Sequence, residues 1–319
     1  MKKILCVLMS CLLFVMAGCS GHSKNLKFGA ADIVGVYYSF ASTFTQLADK
    51  EIDGYTFETK TTAGSVANLR LISDGYIDLA IAQADLLSDA YNATGTFADK
   101  KYQKGYKAVA SLYTECCQIV VRKDSGITGI DDLINKTVSV GASESGSEKN
   151  AEQILKMSGI TDELINKVNM DYTEAAEKLK AGEIDAFFCT AGTRTEVIGQ
   201  LSKECDICLI SLDDKCIDKM LSAYSLCEKY TIPAGTYNGQ DSDVTTIGVK
   251  AVLIAKQSLS DDVIKNVTKT IYEHADDFKY ATSLDISFDI NTAADGVDIP
   301  FHSGAAAYYT KRGINVLTE

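Results

Sequence analysis

The residues best placed to do chemistry are small and polar, and they cluster at two strand-to-helix turns. Thr61-Thr62-Ala63-Gly64-Ser65 follows the alternating run Tyr55 to Lys60, which reads as a strand. Val66, Leu69, Leu71 and Ile72 then recur at helical spacing and stop at Asp74-Gly75, a C-cap signal. Gly64-Ser65 therefore opens a helix, whose free N–H groups and positive dipole end face whatever lies above the strand. Asp78 to Ala82 is a short buried strand, and Gln83-Ala84-Asp85 ends it and opens the next helix. Glycine allows close approach, and Ser65, Asn68 and Gln83 supply neutral donors. Such a set holds an anionic group by hydrogen bonds. No phosphate-loop lysine accompanies it. In open α/β sheets this carboxyl edge is where ligands bind.

A second set follows the same grammar. Thr137 to Gly141 reads as a buried strand, and Ser145-Gly146-Ser147-Glu148 opens a helix with Ala151, Ile154 and Leu155 inside. Ser145-x-x-Glu148 is a capping-box pattern, which consumes only some first-turn N–H groups and leaves others for a ligand. Glu174 to Leu179 is helical and ends at Ala181-Gly182; Ile184 to Phe188 is a strand, with the turn Cys189 to Thr193 above it. Gly182-x-x-Asp185 repeats Gly75-x-x-Asp78, so two pseudo-equivalent lobes are expected, each with a ligand-facing turn. Asp78 and Asp185 read as strand-start caps rather than an acid pair. In the first lobe the expected ligand-binding residues are Tyr37, Tyr38, Gly64, Ser65, Asn68, Gln83, Asp85 and Glu115. In the second they are Ser145, Gly146, Ser147, Thr190, Ala191 and Gly192. The tyrosines close over a ligand or simply pack their helix. Glu115 or Asp85 meets an amino group if the ligand has one. Arg194 is the one arginine near these turns, since Arg70 lies inside a helix and is expected to point outward. Both an amino acid and a dicarboxylate fit this set.

The elements that must carry these residues alternate strand and helix, an α/β chain with largely parallel sheets. Asn25 to Ala30 is the first strand. Tyr106 to Leu112 and Cys117 to Arg122 read as two adjacent strands crossing between lobes, and Val244 to Ala255 as the return. Helices are expected near Asp261 to Phe278 and Gly304 to Arg312. The division is then 25–116 with 250–319 for lobe I and 117–249 for lobe II.

The chain has 319 residues and a net charge of −12, which argues against nucleic acid and anionic membrane surfaces as partners. No nucleophile elbow, phosphate loop or zinc-ligand cluster is visible, so no enzyme activity, cofactor or metal is expected. Cys205-Asp206-Ile207-Cys208 has metal-knuckle spacing, but no second pair follows and only His22, His274 and His302 exist. Buried packing is the favoured role for the cysteines beyond Cys19, with disulfide pairing second. His302, just before a helix start, reads as a cap or a packing residue.

Thr62-x-Gly64-Ser65-Val66-x-Asn68-Leu69-Arg70, followed by Gly75-x-x-Asp78-x-Ala80-x-x-Gln83-x-Asp85, resembles the TAXI family of extracytoplasmic solute receptors. Four further stretches are similar to that family: Ser111 to Ile127, Val140 to Ala151, Thr231 to Gln240, and Ile299 to Tyr309. The six motifs span nearly the whole mature chain, in order. The resemblance implies a two-lobed periplasmic binding protein fold of type II, with the ligand cleft between lobes. It also implies a monomeric receptor that hands a small carboxylate, such as glutamate or glutamine, to the membrane subunits of a TRAP transporter. An ABC importer's binding protein shares that fold. A lipoprotein that senses its ligand for a signalling partner is the alternative from another class.

Met1-Lys2-Lys3 is a basic start, and Ile4 to Ala17 is apolar but too short to span a membrane. Val15-Met16-Ala17-Gly18-Cys19 resembles a bacterial lipobox, so residues 1–18 are expected to be a signal peptide and Cys19 the lipidated residue of an extracytoplasmic, membrane-anchored protein. Residues 19–24 read as its tether. Loss of Lys2 and Lys3 would take the net charge from −12 to −14. Cys19→Ala is expected to move the protein from the membrane to the soluble fraction; an unchanged membrane fraction would refute lipid anchoring.

Overall fold

The structure, a computed structural model, describes residues 23–99, 102, 105–282 and 288–319. The leader and Cys19 lie outside the described residues. The chain begins β1 (Lys24–Gly29), α1 (Val36–Glu51), β2 (Tyr55–Lys60), α2 (Ser65–Ser73), β3 (Leu79–Gln83) and α3 (Ala84–Asn92). The crossing strand β4 (Tyr106–Arg122) follows. A second block comprises β5 (Thr137–Ser139), α4 (Gly146–Met157), β6 (Asn166–Val168), α5 (Tyr172–Ala181), β7 (Ala186–Ala191) and α6 (Glu196–Glu204). Then come β8 (Ile207–Leu209), α7 (Asp214–Ala223), β9 (Cys227–Ile232) and the returning β10 (Val244–Lys256). The chain ends with α8 (Asp261–Glu273), α9 (Ala275–Thr282) and α10 (Ser303–Thr310).

Among the described residues the strands form one sheet in the order β2-β1-β3-β10-β4-β7-β5-β6, with β8 beside β4 and β9 beside β10. Two sequence expectations change here. The segments 106–112 and 117–122 are not two strands but one of 17 residues. Tyr113 and Thr114 are good strand formers, and the ladder with β10 continues through Cys116, where β7 takes over. The sheet is also mixed rather than largely parallel. Its two ends are parallel, β2-β1-β3 and β7-β5-β6, but β10 runs antiparallel to β3, β4 antiparallel to β7, and β4 and β10 antiparallel to each other. The fold is an α/β two-lobed one. The largest buried cluster draws on residues 26–113 and 249–309, and the other three on 116–247.

The two parallel blocks are clamped in the same way. The Asp78 N–H donates to the Lys27 carbonyl, and its carboxylate accepts from the Lys27 N–H at 2.9 Å. Asp185 does the same to Thr137, with its carboxylate 2.8 Å from the Thr137 N–H. Each acid thus fixes the start of its own strand against its parallel neighbour, the role read from the sequence. His302 caps α10, its Nδ1 accepting from the Gly304 N–H at 3.2 Å.

Asn68 was expected at the ligand edge; the structure places it inside the first block, where it is fully buried. Its Nδ2 donates to the Ala30 carbonyl at 2.6 Å and the Ile81 carbonyl at 2.8 Å, tying the ends of β1 and β3 to α2. Thr62 Oγ1 lies 2.8 Å from its Oδ1. Asn68→Ala would remove the amide that donates to two buried carbonyls, of which Ala30's keeps the Thr62 hydroxyl at 3.1 Å, at a cost of about 1–3 kcal/mol. Urea denaturation is expected to show that loss as a lower midpoint, and an unchanged midpoint would contradict the buried role.

Candidate functional site

Five helix starts and the middle of β4 converge on one cleft. At α1, the Asp32 carbonyl and carboxylate accept from Gly35 and Val34 N–H groups, which turns the chain into the helix and sets Tyr37 just inside it. Tyr37 is buried, and its hydroxyl donates to Glu115 Oε2 at 2.7 Å. At α2, Gly64 holds φ +121°, a conformation that only glycine adopts freely, and brings the turn against Ser145 of the facing block. The Ser65 hydroxyl accepts from the Gln83 N–H at 3.1 Å, locking the starts of α2 and α3 together.

From the second block, α4 opens at Ser145, whose Oγ accepts from the Glu148 N–H at 3.0 Å. The Glu148 carboxylate returns to the Glu144 N–H, one residue earlier than a capping box requires. Ser147 is spoken for. The Tyr172 hydroxyl donates to the Thr190 carbonyl at 2.9 Å, so Ser147 donates to the tyrosine oxygen while accepting from the Thr190 N–H at 2.8 Å. Ser147 and Tyr172 therefore join α4, α5 and the end of β7 rather than offering a spare donor.

The cleft is lined by Tyr37, Gly64, Ser65, Gln83 and Glu115 on one side and by Ser145, Gly146, Ser147, Thr190 and Ala191 on the other. About 500 Å³ of space lies between its walls, part of it open to solvent. Four expected residues fall outside the lining. Asn68 is turned into the first block. Tyr38 lies half-buried against the main apolar cluster, because its neighbour Tyr37 takes the cleft face of α1. Asp85 is buried behind the cleft, on the first turn of α3. The Gly192 carbonyl is occupied by the Thr195 hydroxyl at 2.8 Å. Conversely, Asp32, Asp171 and Tyr172 line the cleft and were missed. Asp171-x-x-Glu174 is itself a cap-like pattern, and Asp171 does accept from the Glu174 N–H at 2.8 Å; that signal would have found it.

The electrostatics are one-sided. Asp32, Glu115 and Asp171 line the cleft, and among the described residues no lysine or arginine does. Burial pushes Glu115 up to about 8, against the opposing hydrogen bonds from Tyr37 and Gln83. Burial likewise holds the Tyr37 and Tyr172 hydroxyls well above the usual phenol range, so both are neutral donors.

The two blocks also touch directly. Arg70, expected to point into solvent, reaches across to Glu144, with Nη2 at 2.7 Å and Nε at 3.0 Å from the carboxylate. The Ala67 N–H donates to the Glu144 carbonyl at 3.1 Å. Gly146 lies so close under the Gln83 amide that a Cβ there would come within 2.5 Å of it.

The seven described cysteines are all free, and no group of three or more metal-ligating side chains occurs among the described residues. Solved structures with the same fold include a putative L-cystine ABC transporter protein from Listeria monocytogenes, 14% identical, with a TM-score of 0.52 over 82% of this chain and 94% of that one. PhnD1 from Prochlorococcus marinus, in complex with methylphosphonate, gives 13% and 0.55 over 83% and 92%. An ancestral arginine-binding protein bound to arginine gives 16% and 0.50 over 82% and 98%. A family model matches residues 28–313, from the first strand to the end of the last helix, and the chain belongs to the NMT1-like family.

Proposed function

We propose that this protein is an extracytoplasmic solute-binding receptor that closes on a small amino acid. One observation carries the ligand class: helix starts and carboxyl groups share a cleft whose lining, among the described residues, holds no cationic side chain. The positive ends of α1, α2 and α4 suit a carboxylate. Glu115, with Asp32 and Asp171 beside it, suits an ammonium group. A dicarboxylate meets only the first half of that pattern. Solved relatives named for L-cystine and arginine agree with an amino-acid ligand. They also favour an ABC-type importer as the membrane partner. The six TAXI-like motifs favour TRAP subunits instead, with glutamate or glutamine as cargo. Uptake measured with each class of membrane partner separates these two, and uptake with neither would remove the transport reading.

An ammonium group binds the ionised form of Glu115. In the empty cleft that group is protonated below about 8, so binding releases a proton. Affinity for an amino acid is therefore expected to rise from pH 6 to pH 8, by up to about tenfold per unit. Glu115→Gln should flatten that profile and weaken binding about ten- to a hundredfold, the scale of a charged hydrogen bond. Calorimetry that finds dicarboxylates bound and amino acids silent would overturn the ligand class.

Closure is proposed to bring lobe I (25–116 and 250–319) onto lobe II (117–249), with the bend at the crossing strands. Gly146→Ala tests it. The added methyl meets the Gln83 amide only when the lobes are together, and Gln83 cannot yield without leaving Glu115. Affinity should fall more than about tenfold with folding stability unchanged, and scattering should show no compaction at ligand concentrations that compact the native protein. Arg70→Ala removes only a half-exposed pair and should cost less than about fivefold. Equal effects from the two variants would contradict this closure.

A further inference from the structure

Behind the cleft, between α3 and α4, lies a buried polar seam that shares Gln83 with the cleft lining and otherwise stands apart from it. Gly146 packs under the Gln83 amide, Asn150 is one helical turn further along α4, and Gln153 beyond it approaches Asp85. On α4, Asn150 thus lies between Gly146, which meets Gln83, and Gln153, which meets Asp85; Gln83, Asp85 and Asn150 are the members with unpartnered oxygens. These three are 0–7% exposed. Asn150 Nδ2 donates to Gln153 Oε1 at 3.2 Å. Asn150 Oδ1, Gln83 Oε1 and both carboxylate oxygens of Asp85 have no donor in hydrogen-bond geometry; Gln153 and the Leu86 N–H lie near Asp85 without closing such a bond.

All four unpartnered atoms are acceptors, and one pair carries a charge. The groups around Asp85 do not neutralise it: Asp89 lies one turn on along α3, Gln153 faces it from α4, Tyr224 and Cys227 approach from the second block, and Glu115 lies beyond Gln83. Lys149 of α4 is engaged by Glu148 and Glu152. A buried carboxylate facing only acceptors, acids and neutral groups is costly without a cation.

We propose that Gln83, Asp85 and Asn150 form a binding site for a small monovalent cation of sodium's size, completed when the lobes close. One carboxylate and two amide oxygens supply hard oxygen ligands with a single negative charge, which suits a monovalent ion; calcium calls for more oxygens and, as a rule, more carboxylates. Raising of the Asp85 pKa to about 6 by burial leaves it ionised at neutral pH and able to hold the ion.

The full-length protein, without added solute, tests this independently of the transport reading. Melting curves at pH 7.5 are compared in sodium, potassium and choline chloride at equal ionic strength. Sodium is expected to raise the midpoint saturably by about 2–4 °C over choline. Asp85→Asn, which keeps the shape and removes the charge, should melt cooperatively and lose the sodium response. Identical curves in sodium and choline, or a sodium response that Asp85→Asn retains, would overturn the site. A midpoint that follows pH and ignores sodium would overturn it too, because a proton would then be what neutralises Asp85.

Discussion

The antiparallel pair β4–β10 is the constraint from which the rest follows. β4 has 17 residues, about 55 Å of extended chain, and passes through both blocks without a break. It pairs with β10 from Tyr106 to Cys116, then with β7 and β8. β10 in turn pairs with β9 from Val244 to Val249, overlapping its β4 ladder at Gly248 and Val249. The lobes are therefore joined by two strands already hydrogen-bonded to each other, not by loose linkers. Irregularities in their register fall between Ala251 and Val252 and between Leu253 and Ile254. Glu115 sits one residue before the point where β4 changes partners, which puts an acid on the floor of the cleft.

The parallel blocks explain why the remaining functional groups gather there. In each block an aspartate fixes the strand start, so the strand ends and the helix starts after them are held in register at the opposite edge. That edge faces the ribbon in both blocks. The ends of β2, β3 and β7 thereby deliver Ser65, Gln83 and Thr190 to one cleft from positions far apart in the chain.

Much of this was legible in the sequence because it is local. Glycine C-caps, strand-start acids and Ser-Gly turns have fixed chemistry over a few residues. What could not be read was direction and competition. Ser65 and Ser147 are correctly placed polar residues, but whether a hydroxyl has a spare bond depends on tertiary partners, here the Gln83 N–H, Tyr172 and Thr190. Asn68 lies three residues after Ser65, about 60° around α2, where two carbonyls claim its amide. Arg70 reads as a solvent-facing helix residue because its partner, Glu144, is 74 positions away. The continuity of β4 was hidden by polar residues that look like a turn and in fact stay in the ladder.

The contacts across the cleft also limit how strongly the protein can close by itself. Glu144 adopts φ +65°, which costs a residue with a side chain about 1–2 kcal/mol. Its pair with Arg70 is more than a third exposed on both sides, so it contributes about 0–1 kcal/mol. The Ala67 N–H bond to the Glu144 carbonyl adds about 1 kcal/mol. These terms nearly cancel, and closure additionally buries Glu115 and Asp85. Direct contacts between the lobes therefore fix the geometry of the closed form without supplying a large drive toward it. The drive has to come from whatever satisfies the buried acids, and a ligand can shift the equilibrium only by its preference for the closed state. On the receptor reading proposed above, such a balance keeps the protein responsive: its closed surface would appear in proportion to bound solute, which is what a membrane partner needs to distinguish a loaded protein from an empty one.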